Sequence, residues 1–256
     1  MTTDAKTTDV MTQPAIVSRD EWIEARKALL AKEKALTRAL DALSAERRTL
    51  PWVRVEKSYV FEGPHGRETL ADLFAGRSQL IIQHLMFAPG DDQACVGCSF
   101  SADHVDGARQ HFEHHDVKFT AVSLAPWPKL AAFKERMGWR FHWVSSAGSP
   151  FNYDYGVSFT PDQVATGNVG YNYGTSSYAY ADLPGVSVFA RDAVGDVFHT
   201  YSTFTRGVDI LLGAHHFLDL TPKGRADQGE GADWVRFHDQ YGEAPGTCCH
   251  GGTASA

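Results

Sequence analysis

Leu80 to Phe87 is an almost unbroken apolar run, and it stops at Pro89-Gly90. A strand with one wet face alternates apolar and polar residues. A run this continuous calls for cover on both faces, as in the middle of a sheet. Cys95-Val96-Gly97-Cys98 follows closely, and Phe100 to His115 then reads as a helix. A central strand, a close cysteine pair and a helix, in that order, confine the chain to a layered α/β architecture. They also place its most reactive side chains at a strand-to-helix junction.

The remaining elements extend this pattern. Residues 1–14 are polar and Thr-rich and read as a disordered tail. Ser18 with Glu21 three residues on is the capping-box pattern of a helix start. Trp22, Ala25, Leu29, Leu36, Leu40 and Leu43 then form one apolar stripe on a long helix to about Arg48, closed by Pro51. The stripe reads as an arm packed on its own domain; the sharper alternative is a homodimer contact. Tyr59 to Phe61 and Glu68 to Leu70 flank the turn cluster Gly63-Pro64-His65-Gly66 and predict a hairpin. After the cysteines, Val117 to Leu124 is the next strand. Pro126 to Met137 is a second helix, with proline at its start, where the missing N–H costs nothing. Trp139 to Leu183 is crowded with aromatic residues and reads as a structured insertion, because disordered segments are poor in aromatics. Val186 to Ala190 and Val197 to Tyr201 form a hairpin around Val194-Gly195-Asp196. Arg206 to Leu212 is a last short helix, and Trp234 to Tyr241 docks back on the domain.

Strand, cysteine pair, helix, strand, helix, insertion, antiparallel hairpin and helix is the thioredoxin order, with right-handed crossovers joining the parallel strands. The expected fold is therefore α/β: a thioredoxin-like central mixed sheet flanked by helices, with an N-terminal helical arm and a long aromatic-rich insertion. The domain bounds are a tail over 1–14, the arm over 15–50, the thioredoxin-like domain over 51–241 with its insertion at about 139–183, and a flexible tail over 242–256.

Charge and composition narrow the function. The formal net charge of −7 argues against duplex nucleic acid as a partner, which needs a concentrated basic surface. The longest apolar stretches fall well short of the roughly 20 residues of a membrane-spanning helix. The N-terminus lacks the basic start and apolar run of a secretory signal, so the expected location is the cytoplasm, where thiols are kept reduced. With 4 cysteines, placed as Cys95/Cys98 and Cys248/Cys249, a secreted disulfide framework is not the reading.

At a helix N-terminus, free N–H groups and the positive end of the dipole stabilise a thiolate. Cys95 is therefore expected to be the exposed attacking thiol, with a pKa below the free value of about 8.5. Two intervening residues let Cys98, the more buried resolving thiol, fold back on it. Three alternatives compete. Structural zinc needs four N or S ligands, and none is placed convincingly beside this pair. Cu(I) suits two thiolates and a histidine. His84 and His104 are the candidates, though each reads first as a satisfied polar residue of the fold. A peroxidase of the Thr-x-x-Cys type is weakened by Asp92 at the matching position.

Other polar groups take plainer readings. His111 and His115 are one turn apart on a solvated helix face, and His215-His216 belong to a surface turn. Cys248-Cys249-His250 is an incidental tail cluster. Asp103, five residues after Cys98, either relays a proton or faces water. No phosphate-binding loop, dinucleotide fingerprint or nucleophile elbow is present.

Several motifs in order resemble a bacterial family of thioredoxin-like proteins, domain-of-unknown-function family 899. They are Cys95-x-x-Cys98-Ser99-Phe100 with Asp103, Arg136-Met137-Gly138-Trp139, Trp143-Val144-Ser145-Ser146, Phe151-Asn152-Tyr153-Asp154 and Phe198-His199-Thr200-Tyr201-Ser202. Leu218-Asp219-Leu220-Thr221-Pro222 with Gly224-Arg225, and His238-Asp239-x-Tyr241, also fit. The resemblance spans about 15–241 and implies the fold without a reaction. Family members often carry Pro between the cysteines; here Val96-Gly97 stands there, so no redox potential carries over. In thioredoxin-like folds a cis-proline precedes the strand beside the dithiol. Leu183-Pro184-Gly185 holds that place in order, which sets a cis bond against the usual 5–6% of X–Pro bonds on even terms.

The first functional expectation is a thiol–disulfide oxidoreductase using Cys95 and Cys98, with Pro184 and Asp103 as substrate-binding candidates and no cofactor or resident metal. Its partner would be a disulfide or thiol substrate, protein or small molecule. The others are a Cu(I) or soft-metal binding module and a non-enzymatic redox-sensing or interaction protein. The insertion is expected to reach over the Cys95 pocket; the competing expectation is that its aromatics build a satellite core elsewhere.

Overall fold

The computed structural model describes residues 14–225 and 234–242. Cys248 and Cys249 lie outside the described residues. The chain forms two compact units, one ending at Leu50 and one beginning at Pro51. The first holds helix α1 (Arg19–Arg47). Its capping box is formed: the Ser18 hydroxyl accepts from the Glu21 N–H at 3.3 Å, and the Glu21 carboxylate accepts from the Ser18 N–H at 2.9 Å. Two otherwise orphaned donors at the helix start are satisfied this way.

The second unit opens with β1 (Val53–Arg54) and the hairpin β2 (Val60–Gly63) and β3 (Gly66–Thr69). Gly66 takes a φ of 87°, a left-handed conformation that glycine adopts without strain. The apolar run supplies β4 (Gln79–His84). Helix α2 (Val96–Glu113), β5 (Val117–Ser123), α3 (Trp127–Arg136) and β6 (His142–Ser145) follow. The short helices α4 (Phe151–Asp154) and α5 (Pro161–Ala165) lead to β7 (Gly185–Arg191), β8 (Val197–Phe204) and α6 (Gly213–Asp219).

The strands form one sheet in the order β1-β8-β7-β4-β5-β6-β2-β3. Strands β4 and β5 are parallel, β7 is antiparallel to β4, and β8 is antiparallel to β7. The adjacent set β5-β4-β7-β8, with helices crossing after β4 and β5, is the thioredoxin arrangement. Both faces of β4 are covered, as its apolar run requires. On one face Leu85, Phe87, Cys98, Phe119, Leu130, Phe133 and Trp143 pack under α2 and α3. On the other, Leu80, Ile82, Val122, Val144 and Phe189 pack with Tyr59, Phe61, Leu73, Phe74 and Phe151. Each such side chain, fully buried, contributes about 1.5–3 kcal/mol.

Three details differ from the sequence reading. His142–Ser145, inside the segment read as insertion, is a sheet strand parallel to β5. It is only four residues long, and the aromatics around it hide the pattern. Helix α2 begins at Val96, four residues before the expected Phe100, with Cys95 as its N-cap. The segment Arg206 to Leu212 is a 3-10 turn over Thr205–Leu211, and the regular helix α6 comes after it. His215 is therefore buried against Phe100 on α6 and not in a surface turn. Trp234, Val235 and Phe237 do dock back, against Phe100 and Leu212 and against the α3 core.

Candidate active site

The loop between β4 and α2 is clipped shut by the Cys95 N–H, which donates to the Met86 carbonyl at 2.9 Å. That bond puts Cys95 at the N-cap of an 18-residue helix. The first-turn N–H groups and the dipole of α2 then favour negative charge at this sulfur. Cys98 lies one turn further in, 4% exposed, within the core beneath the sheet. Its backbone is fixed from β4: Gln83 Nε2 donates to the Cys98 carbonyl at 3.0 Å. Both cysteines are thiols. The hydrogen bond between Cys98 and Cys95 holds the proton on Cys98 and, with burial, pushes its pKa well above the ordinary thiol value.

Cys95 opens into a cavity of about 670 Å³. Met86, Leu183, Pro184, Tyr171, Tyr178 and Tyr180 line it, with Asp91, Asp92, Arg206 and Asp209 among its polar groups. Part of the insertion therefore does wall the Cys95 cavity. It also builds the satellite cluster of Val157, Phe159, Tyr171, Leu183 and Phe204, so both expectations for it hold in part. Tyr171 joins the two roles: its ring packs on Phe204 at 5.2 Å, and its hydroxyl donates to the Pro184 carbonyl. Pro184 lines the same cavity as Cys95, but no described residue has a cis peptide bond, so the Leu183–Pro184 bond is trans. The ordinary trans preference of about 0.5–1 kcal/mol prevails over the positional analogy.

Asp103 is placed elsewhere. Its carboxylate accepts from Trp139 Nε1 and His238 Nδ1, each at 2.7 Å, tying α2 to the segment after α3 and to the docked C-terminal strap. It does not line the cavity at Cys95. A carboxyl that the sequence reading passed over stands closer to the chemistry. Asp182, just before Leu183-Pro184, accepts from Ser158 Oγ at 2.9 Å. Burial pushes its pKa up to about 7, with the charges of Asp91 and Cys95 adding to the shift. Its position before the proline was the only signal in the sequence; nothing local foretold its burial.

The histidines named as metal candidates point away from the sulfurs or are already engaged. His84 lies on the opposite face of the sheet, its Nε2 2.8 Å from Ser187 Oγ and its ring stacked over Phe151. Burial, then the charge of His199, pushes it down to about 3. His104 Nδ1 lies 2.6 Å from the Phe100 carbonyl and its Nε2 accepts from the Ala214 N–H at 2.9 Å. Among the described residues no group of three His, Cys, Asp or Glu is arranged to hold a metal ion. No helix among them is long and apolar enough to cross a membrane. A second, larger hollow of about 980 Å³ beside β1 and β8 has His199 and Tyr155 in its wall and no cysteine.

The fold and the dithiol at the start of α2 define a thioredoxin-like protein of the redox-fold class. A profile described as "Bacterial protein of unknown function (DUF899)" matches residues 11–241, and the chain belongs to that family. Among solved structures it is similar to the peroxidoxin BcpB of Mycobacterium tuberculosis, at 15% identity and TM-score 0.41, covering 64% of this chain and 94% of that one. A putative thiol:disulfide interchange protein DsbE from Chlorobium tepidum aligns at 14% identity and TM-score 0.39, covering 65% and 98%. Peroxiredoxin Q of Xanthomonas campestris aligns at 14% and 0.40, covering 63% and 96%. No curated protein matches the chain.

Proposed function

We propose that this chain is a cytoplasmic thiol–disulfide oxidoreductase in which Cys95 attacks and Cys98 resolves. The observation that carries the reading is the asymmetry of the pair. One sulfur sits at a helix N-terminus and opens into a cavity; the other is buried behind it, hydrogen-bonded to it and holding its proton. The Cys95 thiolate attacks one sulfur of a substrate disulfide. A bond forms between Cys95 and that sulfur, and the other half leaves as a thiolate. Cys98 then loses its proton to the departing thiolate and attacks the Cys95 sulfur, breaking its bond to the second half, which leaves as a thiolate and is protonated by water. The chain is oxidised by two electrons and the substrate reduced by two. Turnover needs a reductant of the dithiol class to return them.

The test is trapping. Cys98→Ser should accumulate a mixed disulfide at Cys95 when mixed with a disulfide, visible as an added mass on the Cys95 peptide. The native dithiol should pass through it to an intramolecular disulfide. A folded Cys98→Ser chain that stays unmodified at Cys95 would overturn the assignment.

A further inference from the structure

The substrate class can be read from what surrounds Cys95, on the footing of the oxidoreductase reading above. Thioredoxin-order chains that act on folded proteins need an open groove. Here the insertion narrows that approach: Tyr171 is 2% exposed, pinned to the Pro184 carbonyl, and stacks edge-on with Tyr178 at 5.8 Å. Tyr178 in turn packs on Tyr180 at 6.2 Å. What remains is a hollow of about 670 Å³. Cavities of roughly 300–1,000 Å³ with apolar walls and a few polar groups are the size and character of small-molecule sites.

Its charge is as informative as its size. Three carboxylates, Asp91, Asp92 and Asp209, line it against one cation, Arg206. Arg206 is committed: its Nε donates to Asp209 at 3.1 Å, and Arg225 lies 3.7 Å from the same carboxylate. Two further cations, on α3, are engaged with other groups. Lys129 donates to the Pro89 carbonyl at 3.0 Å, and Arg136 pairs with Asp239 at 2.8 Å while also bonding Gln93. Asp91 and Asp92 thus stand at the mouth without a cationic partner among these groups. The carboxyl of Asp182 is raised first by its burial, and the charges of Asp91 and Cys95 add to that shift.

We infer that the Cys95 cavity is a specificity pocket for small disulfides that carry a flat apolar arm and no negative charge, and that it turns away anionic disulfides. The tyrosine rings receive the arm, by stacking or through a cation–π contact when the arm is positive. The carboxylates at the mouth disfavour an approaching anion before the sulfurs meet, an effect that acts on the rate of encounter and weakens with salt.

Two aromatic disulfides separate the possibilities. Dithiodipyridine is uncharged at pH 8 and dithiobis(nitrobenzoate) is a dianion. Their rates with the full chain, carrying Cys248→Ser and Cys249→Ser so that only the dithiol reports, are divided by their rates with mercaptoethanol, an uncharged thiol. That division removes the reagents' own electrophilicity. The normalised preference for the uncharged reagent should be about tenfold or more at low salt and should fall toward unity at high salt. Asp91→Asn with Asp92→Asn should remove most of it, while asparagine still accepts from the Ala88 N–H that Asp91 now binds at 2.8 Å. Tyr178→Leu with Tyr180→Leu should slow dithiodipyridine relative to bis(hydroxyethyl) disulfide, which has no ring. A normalised ratio near one at low salt, or a ratio unmoved by the Asp91/Asp92 double variant, overturns the pocket's selectivity and leaves the dithiol chemistry standing. Failure of every reagent to modify Cys95 in the folded chain overturns the oxidoreductase reading itself.

Discussion

Tyr171 donates its hydroxyl to the carbonyl of Pro184, so the aromatic segment is bolted to the strand end that borders Cys95. Tyr171→Phe removes the donor, keeps the ring on Phe204 and leaves a half-buried carbonyl unsatisfied. The expected cost is about 1–3 kcal/mol. Because the bond closes the cavity wall, a bulky thiol reagent should gain access to Cys95 more than a small one does. Thermal unfolding together with the ratio of alkylation rates by maleimide and iodoacetamide checks both halves. A stability loss with an unchanged ratio would make Tyr171 scaffold only.

The second prediction concerns the order of reaction. Cys98 is 4% exposed, and its proton is retained by the hydrogen bond to Cys95 and by burial. Iodoacetamide at pH 7 should therefore label Cys95 well ahead of Cys98, by about two orders of magnitude in rate, since the thiolate is the nucleophile. Peptide mapping of briefly labelled native chain reads this directly. Label on Cys98 first would reverse the two roles.

Asp182 makes the site pH-dependent. Its carboxyl is pushed up to about 7 in the fold, chiefly by burial, against 3.8 as its ordinary value. A raised acid favours the fold in its neutral form. That contribution is complete below about pH 4 and is lost as pH rises through 7. Asp182→Asn should match the parent at pH 4 and exceed it at pH 8 by roughly 2–4 kcal/mol, from the size of the shift. Asparagine keeps the acceptor for Ser158 Oγ. At pH 8 the variant should also alkylate faster at Cys95, because the charges of Asp182 and Cys95 act on each other and a carboxylate opposes the thiolate. Denaturation curves at the two pH values decide the first point. Equal gaps at both would show that Asp182 does not titrate with folding.

Much of this was legible in the chain. The two-faced strand β4, the cysteine pair at its end and the closing hairpin each announce themselves through local pattern, and with the strand after α2 they imply the central set β5-β4-β7-β8. The helix N-terminus at the cysteines was legible, but its first turn was not, and the helix read as starting at Phe100, because Val96-Gly97 are weak helix formers and the loop is clipped by a backbone bond to Met86. β6 was hidden by its shortness among aromatics. The acidic mouth and Asp182 were out of reach for a different reason. They assemble residues 91–92, 182 and 206–209 across the fold, and no local spacing encodes such a meeting. Asp103 misled in the opposite sense: proximity in sequence to Cys98 placed it on the same helix but facing Trp139 and His238.

The last prediction lies on the other face of the sheet. His84 is fully enclosed between Phe151, Tyr155 and Ser187. From its Nε2 a chain of short contacts runs through Ser187 and Ser202 to His199, at 2.8, 2.8 and 2.7 Å. Burial, with the charge of His199 second, pushes His84 from 6.5 down to about 3, so the fold holds it neutral. A depressed histidine favours the fold above its unfolded value, and that stability is lost as pH falls from about 6.5 toward 3. A shift of this size corresponds to several kcal/mol, on the order of 1.4 per unit. His84→Gln should unfold more easily at pH 7, since the ring stacking is gone. Its stability should also fall less steeply than the parent's between pH 6.5 and 4.5. Urea unfolding at pH 7, 5.5 and 4.5 measures the two slopes, with every other titrating group common to both proteins. Parallel curves would mean that His84 takes up no proton on unfolding in this range and would refute its role as the acid-sensitive element of the core.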